Sequence, residues 1–456
     1  MFDSTRNLAR FGPILFTIFR ILFSRSTMTR TPSKPNLNWP NSLWRVTADA
    51  GLNFGRLEES IETDLLIVGA GYTGLSTAIH ATENTNDVVI IDQAQPGWGC
   101  SGRNGGQVHP QWKSELQALK GMYPGDQFNG FIQTLEDAVD LVFDLIKRYQ
   151  VDCQAKRNGS IIAGRGSKAI RYLTQWSQFW AEEGKSVHLL DREKTSEVIG
   201  TSRYDLSMCD DRGGSLQPLA YSRGLARACS EQGVSIFGDT CAKNISQTAT
   251  GWRVITDAGD IRCKRLVLAT NGYTDGLWPG LARTIIPVAS MLSATHPLPG
   301  HVASTILPGR QVAAEYAGVP AYYRVDEKNR LVFGWRGTLS GKIGGLKTAH
   351  LRAKALRLFP QISGTRWEYD WAGYVGVTPH QRPMLLKLSN NVYAGLGYNG
   401  RGVPMATMMG KQLALALNNE PTAIAIDAPH TVPLHSFYPV GVYSRIVSGH
   451  IFDQFR

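Results

Sequence analysis

The first long hydrophobic pattern in the chain predicts a strand, a turn, a helix and a second strand in close succession. Apolar runs occupy residues 64–68 and 88–91, and apolar side chains lie between them at helical spacing at Leu75, Ala78 and Ile79. Runs this short and rich in branched side chains are typical of parallel strands buried on both faces. Residues 69–74 read GAGYTG, and Asp92 follows the second run directly. This order of elements predicts a dinucleotide-binding βαβ unit.

Each glycine of this turn, and the acid that follows the second strand, has a physical role in such a unit. Gly69 permits the tight turn, Gly71 lets bare backbone approach a pyrophosphate, and Gly74 lets helix and sheet pack closely. The pyrophosphate is expected at the helix N-terminus, where free N–H groups and the helix dipole favour negative charge. Asp92 lies 18 residues after Gly74 and can accept hydrogen bonds from a ribose. The candidate cofactor residues of this unit are Gly69, Gly71, Tyr72, Thr73, Gly74, Asp92 and Gln93.

A second glycine-rich stretch distinguishes between dinucleotides. Residues 96–107 hold five glycines in twelve positions, so something large and flat can come close to the backbone. Here the chain resembles flavoenzymes of the D-amino-acid oxidase superfamily, in particular the gamma-glutamylputrescine oxidase and L-pipecolate oxidase branch, in which Ser-Gly-Arg-Asn follows the second strand. The resemblance implies FAD rather than NAD. It implies contacts to FAD from Ser101, Gly102, Arg103, Asn104, Gly105, Gly106 and Gln107.

A third glycine turn lies more than 300 residues later. Residues 392–397 are predicted to form a strand, and a helix over residues 404–417 is expected to start with Pro404 at its first position. The resemblance implies that this helix end faces the pyrimidine edge of the flavin. The further candidate FAD residues are Thr270, Gly397, Tyr398, Asn399, Gly400, Gly402 and Val403. Because residues 395–403 contain no cysteine, we expect FAD to be bound non-covalently.

The pattern as a whole predicts an α/β (α+β) fold with a Rossmann-like FAD-binding domain, discontinuous in sequence, and a substrate domain built on an antiparallel sheet. We assign residues 38–112, 205–275 and 371–430 to the first domain, and 113–204 and 276–370 to the second. Residues 1–37 are an N-terminal extension and 431–456 a C-terminal tail.

The formal net charge of +11 does not point to nucleic acid, since six basic residues and one acid lie in residues 1–35 and the remainder shows no basic run. Residues 11–23 are apolar apart from Thr17 and Arg20, too short and too interrupted to span a bilayer. One interpretation is a weak contact of residues 1–27 with a membrane surface. The other, which we favour because the family-like sequence starts near Asn38, is that translation starts at Met28.

The six cysteines form no C-x-x-C pair, and no His/Cys spacing suggests a metal site. Together with the lack of a recognisable secretion signal, this pattern favours free thiols and a cytoplasmic protein without a metal.

The resemblance implies an enzyme that oxidises the CH–NH group of a small amine or amino acid to an imine, with oxygen or a quinone as acceptor. Candidate catalytic residues are His109, as a base, and Tyr322, Arg324 and Tyr398 as substrate contacts. Related glycine and D-amino-acid oxidases hold the substrate carboxylate with an arginine in the segment matching residues 374–379, which is apolar here. This departure favours gamma-glutamylputrescine, L-pipecolate or a related secondary amine.

Three alternatives remain open at this point. The same fold could oxidise glycine or D-amino acids, or a hydroxy acid. It could also modify RNA bases, although no basic run supports that. A flavoprotein that only carries electrons is disfavoured by a substrate-domain segment of some 95 residues.

Overall fold

The computed structural model describes residues 37–444 except 337, 338, 340 and 342. The hypotheses about residues 1–27 and a start at Met28 therefore lie outside the described residues. Within the described ranges, no helix has both the length and the apolar character needed to cross a membrane.

The described helices are α1 (Leu43–Thr47), α2 (Tyr72–Ala81), α3 (Leu116–Met122), α4 (Asp126–Arg148), α5 (Gly166–Glu182), α6 (Arg192–Ile199), α7 (Pro218–Glu231), α8 (Gly300–Ala303), α9 (Leu346–Leu358) and α10 (Gly402–Leu417). The described strands are β1 (Ile61–Val68), β2 (Val88–Ile91), β3 (Gln107–Val108), β4 (Ser160–Gly164), β5 (Val187–Leu190), β6 (Leu206–Asp210), β7 (Gly214–Ser215), β8 (Ser235–Phe237), β9 (Ala242–Gln247), β10 (Trp252–Thr256), β11 (Asp260–Leu268), β12 (Ile286–Thr295), β13 (Val312–Tyr316), β14 (Tyr322–Val325), β15 (Leu331–Arg336), β16 (Trp367–Val377), β17 (Met384–Ser389), β18 (Val392–Leu396) and β19 (Ile426–Asp427).

The first sheet contains the predicted βαβ unit and runs in the order β19-β17-β18-β11-β1-β2-β8, with β10 and β9 attached beside β11. Strand β1 is parallel to both β2 and β11. Leu65 and Ile67 join the core under α2, α4, α7 and α10, whereas Leu66 and Val68 pack with Trp252 of β10 on the other face. The prediction of strands buried on both faces is confirmed.

The second sheet runs in the order β16-β12-β15-β14-β13-β4-β6-β5. Its pairings are antiparallel except that of β4 with β13. The mixed fold with a second, largely antiparallel sheet is therefore confirmed. One face packs on α9, and the other is turned toward the carboxyl edge of the first sheet.

Two strand pairings and one helix contact bear on the domain bounds that we proposed from the sequence. Strand β6 pairs with β4 and β5, so the chain returns to the first sheet only after residue 210, not at 205. Strand β16 pairs with β12 over its whole length, which places residues 371–377 in the second sheet. Helix α4, drawn in the substrate domain, packs on α10, because its apolar stripe covers the helix layer of the first sheet.

A buried ion-pair network joins the two parts of the molecule. Arg212 lies 2.5 Å from Glu136 of α4 and 2.7 Å from Asp210 of β6, and its guanidinium lies 4.1 Å from the ring centroid of Trp180 in α5. The three charged side chains are at most 15% exposed. Removing the arginine would leave Asp210 without its cation, although Glu136 would keep Lys185 at 2.9 Å. The loss should therefore cost more than the loss of a surface pair does.

We predict that Arg212→Met lowers the free energy of unfolding by about 3 to 5 kcal/mol. The matched control is Arg262→Met, which breaks an exposed cross-strand pair with Glu62 and should cost at most about 1 kcal/mol. Urea unfolding followed by tryptophan fluorescence measures both. Equal midpoints for the two variants would contradict the prediction.

Candidate active site

A cavity of about 1050 Å³ lies between the carboxyl edge of the first sheet and the inner face of the second. Its volume exceeds the roughly 300 to 1,000 Å³ usual for sites that bind drug-sized ligands. The loops after β1, β2, β11 and β18 form one wall, and side chains of β12, β14 and β16 form the other. The carboxyl edge of a parallel sheet is where such folds bind dinucleotides.

The predicted glycine turn after β1 is closed as tightly as its sequence requires. Gly69 has φ +112°, and a Cβ there would lie 2.9 Å from the carbonyl oxygen of Ala269. At Gly74 a Cβ would lie 1.9 Å from the carbonyl oxygen of Gly69, so a side chain would force α2 away from β1. Both positions therefore require glycine for the fold itself.

The N-terminus of α2 faces this cavity with few partners of its own. Its N-cap, Gly71, supplies no side-chain hydrogen bond, and the Tyr72 N–H donates to Ser101 Oγ at 3.0 Å. Asp92 lines the cavity nearby and accepts hydrogen bonds from Ala70 N (2.7 Å) and Ala94 N (2.9 Å). Burial raises the pKa of the Asp92 carboxyl to about 6 despite these two donors. Hydroxyl donors from a ligand would favour its ionised form.

Residues 100–107, called the 100–107 loop from here on, lie between the two sheets. Two tryptophan indoles that are distant in sequence donate hydrogen bonds to this loop. Trp44 of α1 donates from Nε1 to the Asn104 carbonyl at 2.7 Å, and Trp371 of β16 donates to the Arg103 carbonyl at 2.9 Å. The two indoles pack edge to face, with centroids 5.7 Å apart. These donors satisfy carbonyl groups that a buried loop could not leave unpaired.

Arg324, predicted from the sequence as a substrate contact, holds the same loop from behind and is not among the described residues that line the cavity. Its Nη1 donates to the carbonyl oxygens of Gly106 (3.2 Å) and Leu216 (2.9 Å). The guanidinium lies 4.9 Å from the ring centroid of Trp44. Burial lowers the pKa of Arg324 to about 10, so it remains a cation at neutral pH. Arg324 lies on the same face of β14 as Tyr322, but its guanidinium reaches the backbone of the loop instead of the cavity.

Arg103 supplies a buried donor directed at the cavity. Its Nε donates to the Trp98 carbonyl (2.7 Å), Nη1 donates to the Ala372 carbonyl (3.3 Å), and the guanidinium lies 4.2 Å from the Trp98 ring centroid. Its Nη2 is buried and has no hydrogen-bond partner among the described residues. An orphaned cationic donor beside a glycine-rich loop fits a large ligand with acceptor atoms, such as the expected FAD.

Most of the predicted cofactor residues meet at this cavity. Those that line it are Gly69, Gly71, Tyr72, Thr73, Asp92, Gln93, Ser101, Arg103, Asn104, Gly105, Gln107, Thr270, Tyr398, Asn399, Gly400, Gly402 and Val403. Those that stand behind the lining are Gly74, Gly102, Gly106 and Gly397. The Asn104 side chain acts within the loop, donating to the Ser101 carbonyl (2.8 Å) and accepting from Gly106 N (2.8 Å).

The turn after β18 forms as predicted, but its helix starts earlier. Gly397 and Gly400 each have φ +80°, and α10 begins at Gly402, so Pro404 is its third residue rather than its first. The proline is still tolerated there because the first-turn N–H groups have no intrahelical acceptor. The start of α10 lines the cavity and lacks a side-chain cap.

The hydroxyl of Tyr398 has two hydrogen-bond partners within the protein, so this residue has a structural role. It donates to the Gly395 carbonyl (2.8 Å) and lies 2.6 Å from Thr73 Oγ1, so it connects the start of α2 to the glycine turn after β18. Tyr322, by contrast, faces the cavity, with its hydroxyl 2.6 Å from Ser290 Oγ. A Cβ at Gly105 would lie 3.0 Å from the Tyr322 ring, so the loop presses directly against it.

His109 lies in the cavity wall with a defined hydrogen-bond pattern. Gln107 Nε2 donates to the carbonyls of Ala313 and Tyr323, both at 3.1 Å, which turns its Oε1 toward His109 Nε2 at 2.9 Å. The imidazole must therefore carry its proton on Nε2, and Nδ1 is left as a buried acceptor without a partner among the described residues. Burial, and then the charges of Arg401 and Lys113, hold the pKa of His109 well below 6.5.

Arg401 is a site residue that the sequence analysis missed. It is 8% exposed, lines the cavity, and donates from Nε to the Gln111 carbonyl at 2.8 Å. The sequence signal that could have identified it is its position between Gly400 and Gly402, in the glycine turn directly before α10.

Comparison with known proteins agrees with this geometry. The model of the FAD dependent oxidoreductase (DAO) family matches residues 64–416. The chain is 29% identical over 408 residues to gamma-glutamylputrescine oxidoreductase of Escherichia coli, covering 89% of this chain and 95% of that protein. It is 25% identical over 376 residues to sarcosine oxidase subunit beta of Rhodobacter capsulatus, covering 76% and 85%.

Solved structures share the fold at low sequence identity. Glycine oxidase from Geobacillus kaustophilus superimposes with a TM-score of 0.68 at 19% identity, covering 80% of this chain and 96% of its own. L-proline dehydrogenase from P. horikoshii gives 0.68 at 17%, covering 84% and 99%. With three quarters of its length matched by the family model and the glycine turns meeting at one cavity, this chain belongs to the DAO family of FAD-dependent oxidoreductases.

Proposed function

We propose that this enzyme oxidises the CH–NH group of a small secondary amine, of the class of gamma-glutamylputrescine, L-pipecolate or a related N-substituted amino acid, to an imine, with oxygen or a quinone as the final acceptor. The observation that carries the proposal is the buried, unprotonated Nδ1 of His109 in the cavity lining, an acceptor without a donor among the described residues. Names of several relatives, gamma-glutamylputrescine oxidoreductase among them, support the amine class.

The residues that would hold FAD form two groups. The turn of residues 69–73 and Asp92 suit the pyrophosphate and ribose, whereas the 100–107 loop and the start of α10 suit the flavin ring. FAD, when bound, accepts a hydride from the carbon next to the amine nitrogen.

The described side chains favour a substrate amine without its extra proton. Arg401 and Lys113 place positive charge near His109, and like charge and desolvation both disfavour an ammonium ion. A neutral secondary amine that loses a hydride leaves an iminium ion, which water hydrolyses, so no base is required in that step. We therefore assign His109 as the acceptor of the amine N–H rather than as the base suggested by the sequence.

The cavity also favours non-covalent flavin. Two cysteines, Cys100 and Cys241, are among its lining residues, and the Cys241 thiol lies 3.6 Å from the Ala242 carbonyl, to which it donates. Burial raises the pKa of the Cys100 thiol to about 11, with Arg103 opposing this only in part. A thiol kept protonated is a poor nucleophile.

We predict that acid precipitation releases all of the flavin into the supernatant, where its absorbance equals that of the protein before treatment. Flavin absorbance remaining in the protein pellet would show a covalent bond and contradict this assignment.

We predict that an amine of the proposed class bleaches the visible flavin band of the purified enzyme under anaerobic conditions. The panel contains gamma-glutamylputrescine, L-pipecolate, sarcosine, glycine, several D-amino acids and L-lactate as the hydroxy-acid control. Reoxidation is then followed with oxygen and with a soluble quinone. Bleaching by L-lactate alone would overturn the amine assignment in favour of hydroxy acids.

We predict that His109→Asn slows flavin reduction at saturating amine by about tenfold to a hundredfold, because a positioned acceptor worth about 1 to 3 kcal/mol is lost. Since the pKa of His109 is held well below 6.5, the histidine stays neutral from that pH upward. The pH profile of reduction should then follow the amine of the substrate and show no inflection near 6.5.

The matched control is His80→Asn, which replaces another buried histidine outside the cavity, one that bonds to the Ser76 carbonyl. It should leave the reduction rate unchanged. A wild-type rate in His109→Asn would contradict the role given to this residue.

A further inference from the structure

Arg401 carries a positive charge that the described protein does not balance. Only its Nε has an acceptor, the Gln111 carbonyl, and within the described residues Arg401 forms no ion pair. Its side chain is 8% exposed, yet it belongs to the cavity lining. Burying a charge costs free energy unless the charge is paired, so a bound anion would stabilise the Arg401 guanidinium in this position.

The neighbouring groups do not supply that anion. Tyr172, which acts electrostatically on Arg401, has a hydroxyl that donates to the Trp112 carbonyl (3.1 Å) and accepts from Gln111 Nε2 (3.0 Å). Burial raises the pKa of Tyr172, which keeps this hydroxyl neutral.

Further charged groups line the same part of the cavity. Lys113 and Lys168 are basic, and Glu115 is acidic but accepts a hydrogen bond from the Tyr316 hydroxyl. His109 is neutral for the reasons given above. Glu315 also lines the cavity but is paired with Lys354 at 2.8 Å. Among the described residues, no acid is therefore paired with Arg401.

We propose that Arg401 binds a carboxylate of the substrate, so that the enzyme selects amines that also carry a carboxylate. The planar guanidinium fork matches a carboxylate with two parallel hydrogen bonds. Arg401 and His109 then form a pair, one for the carboxylate and one for the amine N–H. This inference rests on the proposed function only for the class of amine. The argument that Arg401 binds an anion does not depend on that function.

The assignment also changes the meaning of the apolar segment at residues 374–379. The family resemblance places the carboxylate arginine of related oxidases in that segment, and its absence disfavoured primary α-amino acids. Val375 and Val377 do line the cavity as apolar side chains. Arg401 provides a cation from the glycine turn after β18. A different element of the fold would therefore bind the carboxylate of the substrate.

The test is a titration of the FAD-bound enzyme with two probes of the same shape, benzoate and its neutral analogue benzamide. Neither has an oxidisable C–H next to an amine, and binding of either is followed by the shift of the flavin absorption band. We expect wild type to bind benzoate at least about thirtyfold more tightly than benzamide. In Arg401→Gln this preference should disappear while benzamide affinity is kept, and Arg401→Lys should retain part of it.

The control variant is Arg203→Gln, an exposed arginine outside the cavity, which should bind both probes like wild type. A variant that fails to take up FAD does not remove the test, because wild type alone must show the benzoate preference. That preference should also stay constant from pH 6 to 9, since an arginine remains charged whereas a histidine would not.

Equal binding of benzoate and benzamide by wild type would overturn the inference. So would an Arg401→Gln enzyme that keeps wild-type benzoate affinity but has a lower flavin reduction potential, since Arg401 would then serve the reduced flavin. Amine bleaching with no benzoate preference would refute only this inference. A benzoate preference lost in Arg401→Gln, with no amine in the panel reacting, would refute only the amine assignment.

Discussion

A backbone with few side chains runs through the middle of this protein, and its peptide groups must all find partners there. The 100–107 loop lies between two sheets, where water cannot serve its carbonyl groups. Trp44, Trp371 and Arg324 supply the donors from three separate elements. Two of these donors belong to the second sheet and one to α1, whereas the loop itself follows β2 of the first sheet. The loop therefore also fixes how the two sheets approach each other. The cavity is the space that this arrangement leaves.

The charges around that cavity are distributed by role. At one end the bare N-terminus of α2 and the carboxyl of Asp92 offer donors and acceptors suited to a dinucleotide. At the other end two cations surround a histidine that they help to keep neutral. An environment of this kind disfavours ammonium ions and favours carboxylates. It therefore suits an amine that arrives with its own negative charge and reacts in its unprotonated form.

Local patterns in the sequence predicted β1, β2 and β18 of the first sheet and the glycine turns at its edge. The βαβ unit depends on contacts within residues 61–92, and the turns at Gly69 and Gly400 require special backbone angles that only a few residue types adopt. The role of Arg324 could not be found this way, because the carbonyl it meets lies 218 residues away. Arg401 was missed for a related reason: that it is buried and unpaired depends on the packing of α5 and the Gln111 segment. The pairing of β6 with β4 and of β16 with β12 joins segments far apart in sequence, which local patterns do not reveal.

Hydrogen exchange of the flavin-free protein, read by mass spectrometry, tests most directly whether the protein itself builds the flavin site. The amides of residues 102, 103, 104 and 106 all donate within the loop, so they should exchange far more slowly than those of the exposed residues 49–53, even without FAD. Protection of the loop before FAD is added would support a site set by Trp44, Trp371 and Arg324. Exchange as fast as in residues 49–53, with protection appearing only when FAD binds, would contradict the account.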